Sequence, residues 1–167
     1  MSARVRILGV DPGTIRLGYA VIEAVRGRGR VELHYLECGV IAAPARESVA
    51  ARLFTIASEL GGVIDEFAPQ QCAIERAFHG KSAASALALG QARGAMMLLA
   101  AQRGLSCHEY APASIKRVVA GHGAATKQAI AVRVRQIFAL QQPPASDAAD
   151  ALAIACCHAL ATDAAGR

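Results

Sequence analysis

Four carboxylates in the chain have the type and setting to do chemistry. Asp11 closes the apolar run "VRILGVD" just before a Pro-Gly turn, and Glu75 closes the similar run "PQQCAIE". Asp147 and Asp150 lie in "SDAADALAIA", three residues apart and therefore on one side of a helix, where like charges repel unless something positive sits between them. Each acid alone has an ordinary explanation. Asp11 can open a turn, Glu75 can mark a sheet edge, and Asp147 and Asp150 can cap a helix that starts after Pro143-Pro144. Together they are harder to dismiss, because Asp11 and Glu75 hang from buried strands where desolvation is costly. A like-charge pair about 4 Å apart at an effective dielectric of 20 costs on the order of 4 kcal/mol. A hard divalent cation resolves that conflict. Mg²⁺ takes oxygen ligands, and two such ions about 4 Å apart can stabilise the attacking and leaving oxygens of an in-line phosphoryl displacement. Zinc would want histidine or thiolate, and the histidines are scattered. His158 stands about 16 Å along the helix from Asp147 and is expected to be a core or partly exposed residue; His79 is a weak candidate beside Glu75.

The elements that must hold these acids can be read from periodicity. Residues 5–11, 17–24 and 30–43 read as three strands, with the basic "VRGRGR" as a solvated hairpin loop between the second and third. Val49, Leu53, Ile56, Leu60, Ile64 and Phe67 recur at steps of three and four, predicting an amphipathic helix capped by Ser48. Residues 69–75 and 105–110 are two further strands, and 82–102 is a long helix that is apolar nearly all round. A short helix opens at Pro112, and another is capped by Thr126, with Lys127, Arg133 and Arg135 expected to face solvent. The last helix starts near Asp147. Three antiparallel strands followed by alternating helices and strands predict a mixed five-stranded α/β sheet covered on both faces. Ligands of such sheets gather at the carboxyl ends of strands, where Asp11 and Glu75 stand. Residues 1–161 are expected to form one domain, and 162–167 a flexible tail.

Composition narrows the class. The 167 residues are 54% hydrophobic and carry a net charge of +5, enough for one core and favourable for a polyanionic partner. The start of the chain leads into a strand rather than a signal-peptide core, and no apolar run is read as long enough to span a membrane, so a cytoplasmic location is expected. The five cysteines have no C-x-x-C spacing and read as reduced core thiols.

"GVDPGTIRLGYAVI", "AIERAF", "SALALGQARG" and "SDAADALAIA" occur in order between Val5 and His158, and together they closely resemble the RuvC family of Holliday-junction resolvases. The resemblance implies an RNase H-like fold and a homodimeric, Mg²⁺-dependent endonuclease (two ions per site, Mn²⁺ as a possible substitute). Such an enzyme nicks two symmetry-related strands of four-way junction DNA in recombination and repair, alongside branch-migration proteins. It assigns the catalytic and metal-binding acids to Asp11, Glu75, Asp147 and Asp150, the third of which is histidine in some members. It also implies that Phe78 stacks on a base near the junction centre, and that Lys81, Lys116 and Lys127 contact DNA or stabilise developing charge. Arg117 and Arg76 are softer choices. The family often has a "GSAEK"-like segment where this chain has "GHGAATK", which removes an acid from that loop. The helix over 82–102 is the candidate dimer interface, with internal core the equal alternative. Two rival functions stay open: a non-catalytic binder of branched DNA, and an actin-like ATPase fragment with its Asp-Pro-Gly-Thr turn as phosphate loop.

Overall fold

The computed structural model describes residues 3–27, 30–76 and 82–165. Strands β1 (Ala3–Asp11), β2 (Arg16–Gly27) and β3 (Arg30–Ala42) form an antiparallel meander; β4 (Gln71–Glu75) and β5 (Ser106–Tyr110) run parallel to β1. The sheet order is β3-β2-β1-β4-β5, the mixed five-stranded arrangement expected. The hairpin differs from its expectation. Val25, Arg26 and Gly27 are paired strand residues, because ladder hydrogen bonds use the backbone and tolerate charged side chains. Arg26 donates to Thr162 Oγ1 and Arg30 bonds Glu32, so these arginines have partners within the protein; Arg28 lies outside the described residues.

Strand alternation sorts the core into two clusters. Leu8, Val10, Leu17, Val21, Cys72 and Ile74 pack with Ile56 and Leu60 of α1 (Val49–Phe67) and Met96 and Leu99 of α2 (Ala83–Gln102). Ile7, Ala20, Ile22 and Ala73 face the other way, onto α5 (Ser146–Ala165). Outside α5 lie α3 (Pro112–Ala120) and α4 (Lys127–Ile137), which supply Ile115, Val119, Ile130 and Val134 to the same cluster. α5 is thus sandwiched, and every residue from Ala151 to Ala159 is buried. Two glycines set how closely it sits. A Cβ on Gly9 would overlap Ala151 O and come within 2.9 Å of the Ala155 Cβ; one on Gly18 would overlap the carbonyl of Asp147.

Helix starts are where the sequence put them. Ser48, Ser82 and Thr126 accept hydrogen bonds from Ala51 N (3.2 Å), Ser85 N (3.2 Å) and Ala129 N (3.1 Å), satisfying first-turn donors. The carboxyl end differs: α5 continues through Ala165, and Thr162, expected to begin a tail, donates to His158 O at 2.7 Å. All five cysteines are free thiols, with Cys72, Cys156 and Cys157 buried. α2 is, contrary to the sequence reading, long and apolar enough by composition to cross a membrane. Its Arg93 nonetheless bonds Glu109 of β5, and Met96, Leu99 and Ala100 are buried on the sheet, while most of the helix is exposed or half-buried.

Candidate active site

The register of β1 and β4 builds the first half of the site. Val10 pairs with Ile74, so the residues that follow, Asp11 and Glu75, are neighbours at the carboxyl edge of the sheet. Because Val10 and Ile74 point into the α1/α2 core, alternation turns both carboxylates to the face that α5 covers. The second turn of α5 then brings Asp150 over them. Asp11, Glu75 and Asp150 line one cleft of about 230 Å³ with Lys116 of α3 and Lys127 of α4. Pro112, Ile115, Ile130, Ala153 and Ile154 form its apolar walls. The first turns of α3 (Pro112, Ile115) and α4 (Lys127, Ile130) line the cleft, so their positive dipole ends lie beside it.

The charges of the cleft are not balanced. The Asp11 carboxyl is pushed up to about 7, first by burial, then by Asp150 and Glu75, with Asp147 adding a little and Lys127 opposing. Glu75 is raised by burial and by Asp150, against Lys127 and Lys116. Lys127 Nζ donates to Asp150 Oδ2 at 2.6 Å, which raises its own pKa. Burial first, and the neighbouring carboxylates second, outweigh the attraction of Lys127 at Asp11. Oxygen donors alone, with no imidazole or thiolate lining the cleft, fit a hard divalent cation. Among the described residues, however, no three His, Cys, Asp or Glu side chains stand as a ready-made ligand set.

The sequence model described as "Crossover junction endodeoxyribonuclease RuvC" matches residues 7–158. The chain belongs to the RuvC family. A RuvC from Heliobacterium modesticaldum is 44% identical over 154 residues, covering 92% of this chain and 93% of that one. One from Bradyrhizobium diazoefficiens is 43% identical over 155 residues, covering 93% and 86%. The solved structure of Thermus thermophilus RuvC in complex with a Holliday junction substrate superposes with a TM-score of 0.87 at 33% identity, covering 96% of each chain. The sheet order and helix layers described above are therefore those of the RuvC, RNase H-like fold.

Of the residues assigned by the RuvC resemblance, five meet in the cleft: Asp11, Glu75, Asp150, Lys116 and Lys127. Asp147 does not line it. Its Oδ2 accepts a hydrogen bond from Arg16 Nε at 2.9 Å, and it stands in the first turn of α5, where the helix dipole favours an acid. Lys127 faces solvent as expected, its side chain 73% exposed, and it also bonds Asp150. Arg133 and Arg135 likewise bond the backbone carbonyls of Val119 and Leu140. Arg117 is exposed on α3 and does not line the cleft; Arg76 is exposed just after β4. Phe78, His79 and Lys81 lie outside the described residues. His158 is fully buried far from the acids, between Tyr110 and Gln71. Arg16 was missed. It sits inside the quoted motif, but nothing local to "TIRLG" tells that it meets a helix 131 residues later.

Proposed function

We propose that the chain resolves Holliday junctions as a homodimer, by paired, symmetric, divalent-metal-dependent nicking of two DNA strands. Mg²⁺ is the expected ion, two per site, with Mn²⁺ able to substitute. The observation that carries this reading is the Asp11 carboxyl at about 7 in a cleft shared with Glu75, Asp150 and two lysines. Asp11, Glu75, Asp147 and Asp150 would hold the metal. When bound, hard divalent cations polarise a phosphoryl oxygen and lower the pKa of water. The protein's own groups do the remainder. Lys116 and Lys127 hold the scissile phosphate and offset charge that develops on it. The repulsion that, after burial, raises Asp11 would be offset by a bound cation, and Ile115, Ile130 and Ile154 form an apolar wall beside it. Phe78 stacks on an unpaired base, while Lys81, Arg117 and Arg76 bind phosphates further out. Junctions have approximate two-fold symmetry, which an isologous pair of subunits matches. The α2 outer face, with Leu87 and Leu98 exposed, is the interface in this reading. We place the protein in the cytoplasm, as one domain, working with branch-migration proteins.

The test compares a synthetic four-way junction with a matched linear duplex, with and without Mg²⁺. Paired symmetric nicks on the junction, only with metal, are expected. Asp150→Asn should keep junction binding and lose nicking by about 100-fold or more, the scale of removing one electrostatic stabiliser. Undiminished cleavage by that variant would remove the acids from the chemistry. Intact binding with no cleavage by the unaltered protein would favour the branched-DNA scaffold instead.

A further inference from the structure

Asp147 and Asp150 are one helical turn apart, yet only Asp150 lines the cleft. The backbone does not explain the difference. The first turn of α5 is seated on β2, where a Cβ at Gly18 would overlap the Asp147 carbonyl, and Arg16 is fixed in the ladder opposite Ala42. What remains free is the side-chain torsion of Asp147, which the Arg16 Nε hydrogen bond of 2.9 Å directs away from the other acids. Resting on the metal-dependent reading above, we infer that Arg16 is a positioning residue that competes with the divalent cation for the Asp147 carboxylate. Filling the site then requires Asp147 to leave Arg16, and the guanidinium so released is left for the DNA backbone. The pair is partly exposed, 57% for the arginine side chain and 31% for the aspartate. Exposed pairs of this kind contribute up to about 1 kcal/mol, so the competition is worth about two- to five-fold in cation affinity.

The probe is Mn²⁺ without DNA, its free concentration followed by electron paramagnetic resonance. Arg16→Ala should tighten Mn²⁺ binding about two- to five-fold, and Arg16→Lys should recover part of the weaker, unaltered affinity. In an Asp147→Asn background, Arg16→Ala should change nothing, because the carboxylate through which it acts is gone. Equal tightening in that background would mean a general field effect and overturn the inference. So would unchanged or weaker Mn²⁺ binding by Arg16→Ala with Asp147 intact. The underlying reading fails separately: if Asp11→Asn leaves Mn²⁺ binding undiminished, the cation does not occupy this cleft, and both fall.

Discussion

Two helices of this protein look alike in sequence and live differently. α2 and α5 each span 20 residues, are rich in alanine and lack a polar face. α5 lies between the sheet and the α3/α4 layer, buried without a break from Ala151 to Ala159. α2 buries only Ala92, Met96, Leu99 and Ala100, leaving Leu87 65% and Leu98 60% exposed. An all-round apolar pattern says that both sides of a helix are meant to be covered, not by what. For α5 the chain covers itself, and that second layer carries Lys116 and Lys127 to the acids. For α2 the outer side has no second layer among the described residues, which is why the dimer proposal rests there.

The sharpest way to break the comparison is at the α5 contact with the sheet. Gly9→Val would drive a side chain into the Ala151 carbonyl and the Ala155 methyl, both fixed in a buried helix. A loss of more than about 4 kcal/mol is expected, enough to unfold the chain, since overpacking against backbone has no flexible neighbour to absorb it. Denaturant unfolding of the purified variant checks this. A stable, folded Gly9→Val protein would show that α5 is not held as closely as Gly9 and Gly18 require.

The same contact separates what could be read in advance from what could not. Asp11 and Glu75 were legible because strand ends and alternation are local properties of "ILGVD" and "CAIE". Asp147 and Asp150 were legible as a pair by helical spacing. Their different fates were not, since they depend on Arg16 and Lys127, which reach them from β2 and α4. Nor could the pattern separate α2 from α5, because layer order is a tertiary fact. The strand extent of "VRG" and the continuation of α5 past Thr162 were missed for a related reason: Arg26 and Thr162 bond each other across the fold.

The carboxyl end of α5 offers a second, smaller test. His158 bridges Tyr110 O–H at Nδ1 (2.6 Å) and Gln71 Oε1 at Nε2 (2.8 Å); in the neutral ring Nε2 donates to Gln71 and Nδ1 accepts from Tyr110. Burial, with His108 and Arg26 adding, pushes its pKa down to about 4 from an unfolded value of about 6.5. Between those values the unfolded chain binds more protons, so His158 contributes stability that is present above pH about 6.5 and lost as pH falls toward 4. The full loss is of order 3 kcal/mol. Asp11 works in the opposite sense, because its folded pKa is raised to about 7 and protonation relieves it as pH falls. The contrast with His158→Gln isolates the histidine. Denaturant midpoints between pH 7 and 4.5 should fall further for the unaltered protein than for the variant, and parallel curves would mean that His158 titrates normally.

The smallest effect expected is on α2, and its sign is the informative part. Leu87, Gly90, Gly94 and Leu98 form one exposed stripe at helical spacing. Nothing lies within 4 Å of a Cβ built on Gly90, so Gly90→Ala removes backbone freedom from the unfolded chain without a clash. At concentrations where sedimentation shows only monomer, stability should rise by about 0.5–1 kcal/mol, the reverse of the Gly9 result. At higher concentration the same methyl lies on the surface assigned to the second subunit, and weaker association there would place Gly90 at a close helix contact. A loss of stability in the monomer itself would instead mean that the outer side of α2 is already covered, and the two helices would then be alike in structure as they are in sequence.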